Sequence, residues 1–165
     1  MITTAGFHEA IAAAWDAHGL EGVFNQYWTA AQRAEYPALH EQEAVPTAPM
    51  PYCIFEQEPG DVSVRMTGYG QYARQEINVI AFTLKVYART LTGSGKSAKA
   101  IASELIDELM ARFGGHPTAT PIELTMDHGQ VINMQYVNDY SLRLGDDEYA
   151  WVLAYNAYLD VPVAA

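Results

Sequence analysis

The segment most suggestive of chemistry is Gly93-Ser94-Gly95-Lys96-Ser97, which follows a predicted strand and opens a predicted helix. A phosphate-binding loop has this order, but its pattern needs a first glycine five positions before the glycine of Gly-Lys-Ser. Thr90 occupies that position, so the loop has too few glycines to wrap phosphate groups with backbone amides. We interpret the segment as a flexible turn before a helix, and a weak anion site at the helix N-terminus stays open.

Histidine and cysteine are the next candidates for catalysis or metal binding. The five histidines are widely spaced: His8, His18, His40, His116 and His128. None forms the close ligand pairs of a metal site, and a single cysteine cannot complete a thiolate site. Cys53 lies in the apolar run Tyr52-Cys53-Ile54-Phe55, which predicts a small buried hydrophobic residue rather than a reactive thiol.

The acidic run Asp146-Asp147-Glu148 is a third candidate, as a calcium ligand. It lacks the spaced oxygen donors and the glycine of an EF-hand loop, so we interpret it as a hairpin turn. Together these patterns predict no catalytic residue, no cofactor-binding residue and no metal ligand. We therefore expect a protein that is not an enzyme and that needs no cofactor.

Length and composition favour one folded unit. The 165 residues fit a single domain over 1–165, and a hydrophobic fraction of 50% is ample for a core. One cysteine indicates a reducing compartment. No stretch reaches the roughly 20 apolar residues of a membrane span, and residues 1–6 lack the features of a signal peptide. We expect a soluble protein made in the cytoplasm, without membrane contact.

The net charge of −11 is unevenly distributed along the chain. Residues 65–112 hold seven of the nine basic residues and only four of the twenty acidic ones. Such a chain is a poor match for tight nucleic-acid binding, which needs a dense basic patch to neutralise phosphates. The charge suits a surface that stays soluble or that repels DNA.

Helical periodicity predicts two helices, over residues 4–18 and 95–113, each followed by glycine. Residues 21–33 have helical spacing but are also aromatic enough for a strand, so their structure stays open. Residues 34–51 contain four prolines and several glutamates, and we expect a long acidic loop there. Loops of that length are usually functional or mobile.

Alternating apolar residues predict six strands, namely 52–56, 61–66, 76–89, 130–137, 139–144 and 148–160. Pro59-Gly60-Asp61 is expected to form a turn between the first two. The long strand 76–89 has one apolar face and one face that is only partly covered. Successive strands pair antiparallel, so the predicted class is α+β, a mostly antiparallel sheet with two helices packed on one face.

Four segments in a fixed order carry a resemblance to a known family. They are Pro51-Tyr52-Cys53-Ile54-Phe55-Glu56, the strand Ile77–Ala88, the helix Ala98–Phe113 and the strand Trp151–Tyr155. This arrangement resembles the tail terminator proteins of long-tailed bacteriophages, also called tail-completion or minor tail proteins. The resemblance covers most of the chain. It lies in the order of these segments and in their amino-acid character, without a catalytic signature.

The resemblance implies a structural virion protein. Copies would form a ring, typically a hexamer, at the head-proximal end of the tail tube, where the ring ends tube polymerisation and joins the tail to the neck. The expected partners are further copies of the chain, the tail tube protein and the neck or head-closure protein. DNA would pass through the lumen without specific binding. The expected location is the virion tail, and the host cytoplasm during assembly.

Complementary charge is the expected basis of contact between copies. A ring needs head-to-tail contacts that close, so the basic central segment would face acidic flanks of the next subunit. The residues predicted at this subunit interface are Arg74, Lys85, Tyr87, Arg89, Glu41 and Glu43.

Other functions stay open. The chain could be a phage head-closure or neck connector protein, or a host regulatory or adaptor domain that binds proteins. It could also be a small ligand-binding α+β domain or an enzyme of unknown chemistry, which would have a concave pocket with converging polar groups. The half-covered strand 76–89 and the acidic loop 34–51 favour an assembly subunit, because both are natural contact elements.

Overall fold

The computed structural model describes residues 4–41, 47–67, 75–91, 95–116, 124 and 130–162. In chain order the elements are α1 (Thr4–Ala17), α2 (Leu20–Asn25), α3 (Ala30–Glu35), β1 (Leu39–His40), β2 (Tyr52–Thr67), β3 (Gln75–Arg89), α4 (Ala98–Phe113), β4 (Gln130–Arg143) and β5 (Glu148–Pro162). No helix in this part of the chain is long and apolar enough to cross a membrane.

The five strands form one sheet in the order β1-β2-β3-β5-β4. β3 lies at its centre and pairs antiparallel with β2 on one side and with β5 on the other. β4 pairs antiparallel with β5, and only the two-residue β1 is parallel to its neighbour β2. The predicted α+β class with a mostly antiparallel sheet is confirmed.

The predicted helix 4–18 is confirmed as α1. Its buried stripe consists of Phe7, Ala10, Ile11, Ala14 and Trp15. Gly19 ends the helix with a φ of 66°, a left-handed conformation that glycine adopts without steric cost. His18, the last residue of the predicted helix, is exposed, because α1 ends at Ala17.

The open question over residues 21–33 is answered by two short helices, α2 and α3. The turn between them is fixed by a capping box, in which Thr29 Oγ1 accepts the Gln32 N–H and Gln32 Oε1 accepts the Thr29 N–H. The described residues therefore contain four helices, and α1 and α4 are the two that were predicted to pack on one face of the sheet. Local capping, rather than an apolar stripe, defines α3, which buries no side chain.

The predicted helix 95–113 is confirmed as α4, although it begins three residues later. Ser97 caps its start, since Ser97 Oγ accepts the Ala100 N–H at 3.2 Å. Gly114 and Gly115 end it with φ values of 117° and 104°. Seven residues of its apolar stripe are buried: Ala98, Ile101, Ala102, Leu105, Ile106, Leu109 and Phe113.

Two predicted strand breaks are register shifts within continuous strands. The turn expected at Pro59-Gly60-Asp61 lies inside β2, where the register with β3 shifts between Gln57 and Val62. Residues 58–61 lie opposite the single residue Ala81, so the ladder is interrupted there although the strand continues. The two strands expected at 130–137 and 139–144 are likewise one strand, β4, with register shifts near Val131 and Tyr136.

The acidic loop predicted over 34–51 is only partly a loop. Its first two residues belong to α3, and Leu39–His40 forms β1, which pairs with Cys53 and Ile54 of β2. The Cys53 N–H donates to Ala38 O at 2.8 Å, which ties this segment to the sheet. Residues 42–46 of the predicted loop lie outside the described residues.

Aromatic packing joins the helices to one face of the sheet. The ring of Phe82 on β3 lies 5.3 Å from that of Phe7 on α1, 5.6 Å from that of Phe55 on β2 and 5.4 Å from that of Tyr155 on β5. Phe113 of α4 contacts Tyr155 on the same face. Both long helices therefore cover the face that carries Phe82.

Replacing Phe82 with alanine tests this packing. Phe82 is fully buried, so Phe82→Ala is expected to lower the free energy of unfolding by about 3–5 kcal/mol, through lost burial and the cavity left behind. Thr83→Ala, next to it on the opposite face, is the control and is expected to cost less than about 1 kcal/mol. Urea unfolding measures both, and equal losses would contradict the packing described.

Candidate assembly surface

The face of the sheet that points away from Phe82 is the candidate functional surface, here called the open face. It consists of Tyr52, Ile54 and Glu56 of β2; Val79, Ala81, Thr83, Lys85, Tyr87 and Arg89 of β3; Asn138, Tyr140 and Leu142 of β4; and Glu148, Ala150, Val152, Ala154, Asn156 and Tyr158 of β5. On this face, the β3 residues from Val79 to Tyr87 are partly exposed, whereas the β3 residues between them on the other face are buried. This confirms the prediction that one face of the strand is only partly covered.

Two ion pairs cross the open face. Lys85 Nζ lies 2.6 Å from Glu56 Oε2 on the neighbouring β2, and Arg89 donates to Glu148 on β5. The hydrogen bond that Lys85 donates to Glu56 raises the pKa of Lys85 above its usual value. Two bases predicted to contact another subunit therefore already have acidic partners within the chain.

Tyr87, a third predicted interface residue, lies between Lys85 and Arg89 on the same face of β3. Its ring stacks on that of Tyr52 across the β2–β3 ladder, with centroids 5.3 Å apart. Tyr52 in turn contacts the His40 ring edge-on. Burial raises the pKa of Tyr52 and lowers the pKa of His40, so both rings are held in their neutral forms near pH 7.

Glu41, the acidic residue predicted opposite these bases, lies at the β1 edge of the sheet. Its carboxylate is 3.7 Å from His8 Nε2, and it borders a groove of about 610 Å³ together with Asp16, Glu21 and His40. The structure thus brings Lys85, Tyr87 and Arg89 together and leaves Glu41 apart from them. Arg74 and Glu43 lie outside the described residues.

Glu21 lines the groove at the β1 edge and holds neighbouring segments together through hydrogen bonds. Glu21 accepts hydrogen bonds from Trp15 Nε1 at 2.9 Å and from the Ala38 N–H at 2.8 Å. These contacts tie α1 and the segment before β1 to α2. No three histidine, cysteine or acidic side chains among the described residues are placed to hold a metal ion.

The start of α4, where the sequence suggested a weak anion site, is already occupied by side chains of the protein. Thr90 Oγ1 accepts the Ala98 N–H, and Ser97 Oγ accepts the Ala100 N–H. Lys96 turns the other way and donates to both oxygens of Glu104, at 3.0 and 3.2 Å. An anion would have to displace two caps, and Gly93 and Ser94 lie outside the described residues.

Exposed apolar side chains mark the outer strand β4, a feature that the sequence analysis missed. Four large hydrophobic residues are about half exposed: Val137 (49%), Tyr140 (52%), Leu142 (51%) and Leu144 (49%). They lie on β4 or in the turn that follows it. The alternation of apolar residues over 138–144 was visible in the sequence. It indicates exposed apolar side chains only if β4 is an outer strand, and the position of β4 in the sheet comes from the structure.

No protein-family model and no curated protein matches the sequence. Among solved structures, a chain described as "Virion of native gene transfer agent (GTA) particle" is similar with a TM-score of 0.45 and 20% identity, over 79% of this chain and 83% of that chain. A similarity with so low a TM-score carries no argument about the function of this chain.

Cys53 is fully buried, as the sequence predicted. Burial raises the pKa of its thiol far above the usual range, so the thiolate does not form near pH 7. Its side chain lies on the face of β2 covered by the helices, since it pairs with Val86 beside Phe55 and Leu84. This cysteine cannot serve as a nucleophile in the folded protein.

Thiol labelling tests the burial of Cys53. In the native protein a thiol reagent is expected to react at least about a thousandfold more slowly than with the unfolded chain, because reaction needs opening of the fold. A second cysteine at an exposed helix position, Ala13→Cys, provides the control and should react at once. Rapid labelling of both sites would show that the helices do not cover β2 as described.

Proposed function

We propose that this chain is a structural virion protein, a tail terminator whose copies close into a hexameric ring at the head-proximal end of a phage tail tube. The observation that carries the proposal is the one-sided covering of the sheet. The helices cover one face, while four large apolar side chains on or just after the outer strand β4 are about half exposed: Val137, Tyr140, Leu142 and Leu144. Exposed apolar surface of this kind marks contact with another protein.

The charge of the chain supports a passage for DNA rather than a binding site. With a net charge of −11, copies arranged around a lumen would give it an acidic wall that repels phosphates. The basic side chains near the open face do not change this, because Lys85 and Arg89 are paired with Glu56 and Glu148. In this proposal DNA passes through the ring without specific binding.

The proposed ring has three kinds of partner: copies of itself, the tail tube protein below and the neck or head-closure protein above. Lys85, Tyr87 and Arg89 form a row on the open face of the central strand β3. Glu41 is largely exposed at the β1 edge of the sheet. Both positions are reachable by a neighbouring copy. Their role in the subunit interface, with that of Arg74 and Glu43, stays a prediction.

Mass measurement and imaging of the purified protein test the proposal. Light scattering after size exclusion is expected to give a single oligomer whose mass is a multiple of 18.2 kDa, and negative-stain images should show closed rings with a central hole. Addition of these rings to polymerising tail tubes is expected to stop elongation, which separates a terminator from a neck connector. A monomer that persists at high protein concentration would contradict the proposal.

A further inference from the structure

The outer strand β4 has the properties of a strand that pairs with another chain. It pairs with β5 on one side, and no other described strand lies against its outer side. The outer backbone N–H and C=O groups of such a strand form a template for an additional strand. β4 has fourteen residues, so this edge is about 46 Å long at about 3.3 Å per residue.

β4 has few of the sequence features that usually prevent an edge strand from pairing with another chain. β4 contains no proline and no lysine, and its two charged residues are Asp139 and Arg143. Asp139 is held by Tyr136 Oη and by Trp151 Nε1, and Arg143 pairs with Asp146. Both register shifts of β4 come before Asn138, so the run from Asn138 to Arg143 is regular.

Charge favours a second copy of this chain as the occupant. Two copies, each with a net charge of −11, repel each other wherever acidic surfaces meet. The outer strand avoids that repulsion, because all but two of its residues are uncharged and those two are of opposite sign. Tyr140 and Leu142 add about half-exposed apolar surface within the regular run.

The area along this edge is somewhat below that of a standard interface. A strip along the edge as wide as three strand spacings, about 14 Å, covers on the order of 650 Å². Standard protein interfaces bury about 800 Å² on each partner.

The opposite end of the sheet offers a second, shorter free edge. β1 pairs with β2 only at Cys53 and Ile54. The register of β2 with β3 is interrupted between Gln57 and Val62, around Pro59, so the regular part of this edge is residues 62–67, and no described strand lies against its outer side. Pairing of this edge with β4 joins two different surfaces of two copies, and such a head-to-tail contact can close into a ring.

We propose that β4 of one copy pairs with the outer edge of β2 of the next copy, so that the sheet continues from subunit to subunit. The inference rests on the proposed ring and names the surface that closes it.

Lysine substitutions on the outer strand test the contact. Leu142→Lys and Tyr140→Lys place a charge on the regular run of β4, and each is expected to reduce the oligomer to the 18.2 kDa monomer. Both positions are about half exposed, so circular dichroism should show an unchanged fold. Ala13→Lys, on the exposed side of α1, adds the same charge and is expected to leave the oligomer intact.

The outcomes separate this inference from the proposed function. A wild-type protein that is monomeric at all concentrations overturns both. A wild-type ring that neither Leu142→Lys nor Tyr140→Lys dissociates overturns the strand contact and leaves the ring standing. Dissociation by both variants, with Ala13→Lys still assembled, supports the contact.

An experiment that mixes variant and wild-type copies distinguishes head-to-tail pairing from pairing of β4 with β4. A tagged Leu142→Lys copy keeps its β2 edge, so it should join a wild-type copy and block growth at one end. Native mass spectrometry of an equal mixture is then expected to show short, open assemblies that contain the variant. If the variant never occurs together with wild-type copies, the β2 edge is not the partner and the head-to-tail arrangement is overturned.

Discussion

The ring of Phe82 contacts aromatic rings from α1, β2 and β5, and the arrangement of the molecule depends on that contact. It places α1 over the centre of the sheet, and α4 joins it through the contact of Phe113 with Tyr155. This aromatic packing lies on one face, and no described helix contacts the other face, where Tyr52, Ile54 and Val152 are buried among neighbouring strand residues. An uncovered sheet face with an apolar outer strand is thus a consequence of how the core forms.

Charge constrains what can cover that surface. The basic residues of the central segment would be natural partners for acidic surfaces of a second copy, yet Lys85, Arg89 and Lys96 have acidic partners within the chain. Exposed ion pairs of this kind contribute little to stability, typically up to about 1 kcal/mol. In the proposed assembly, contact between copies of so acidic a chain would therefore depend on uncharged surface, which β4 offers.

The sequence predicted the parts of the fold that follow from periodicity. The stripes of α1 and α4 and the apolar face of β3 were expected, because burial on one side leaves a clear repeat. The breaks expected at Pro59 and near residue 138 are register shifts, and β2 and β4 each continue through them as one strand. β1 and the partners of Lys85 and Arg89 could not be foreseen, because each depends on which strands become neighbours.

Amide hydrogen exchange of β4 in concentrated and dilute protein tests the central claim most directly. If copies assemble through the outer strand, amides of the run from Asn138 to Arg143 should exchange more slowly in the concentrated, assembled protein than after dilution to monomers. Amides in the middle of α4, around Leu105, should exchange at the same rate in both. Equal exchange of the β4 amides in assembled and dilute protein would contradict the account.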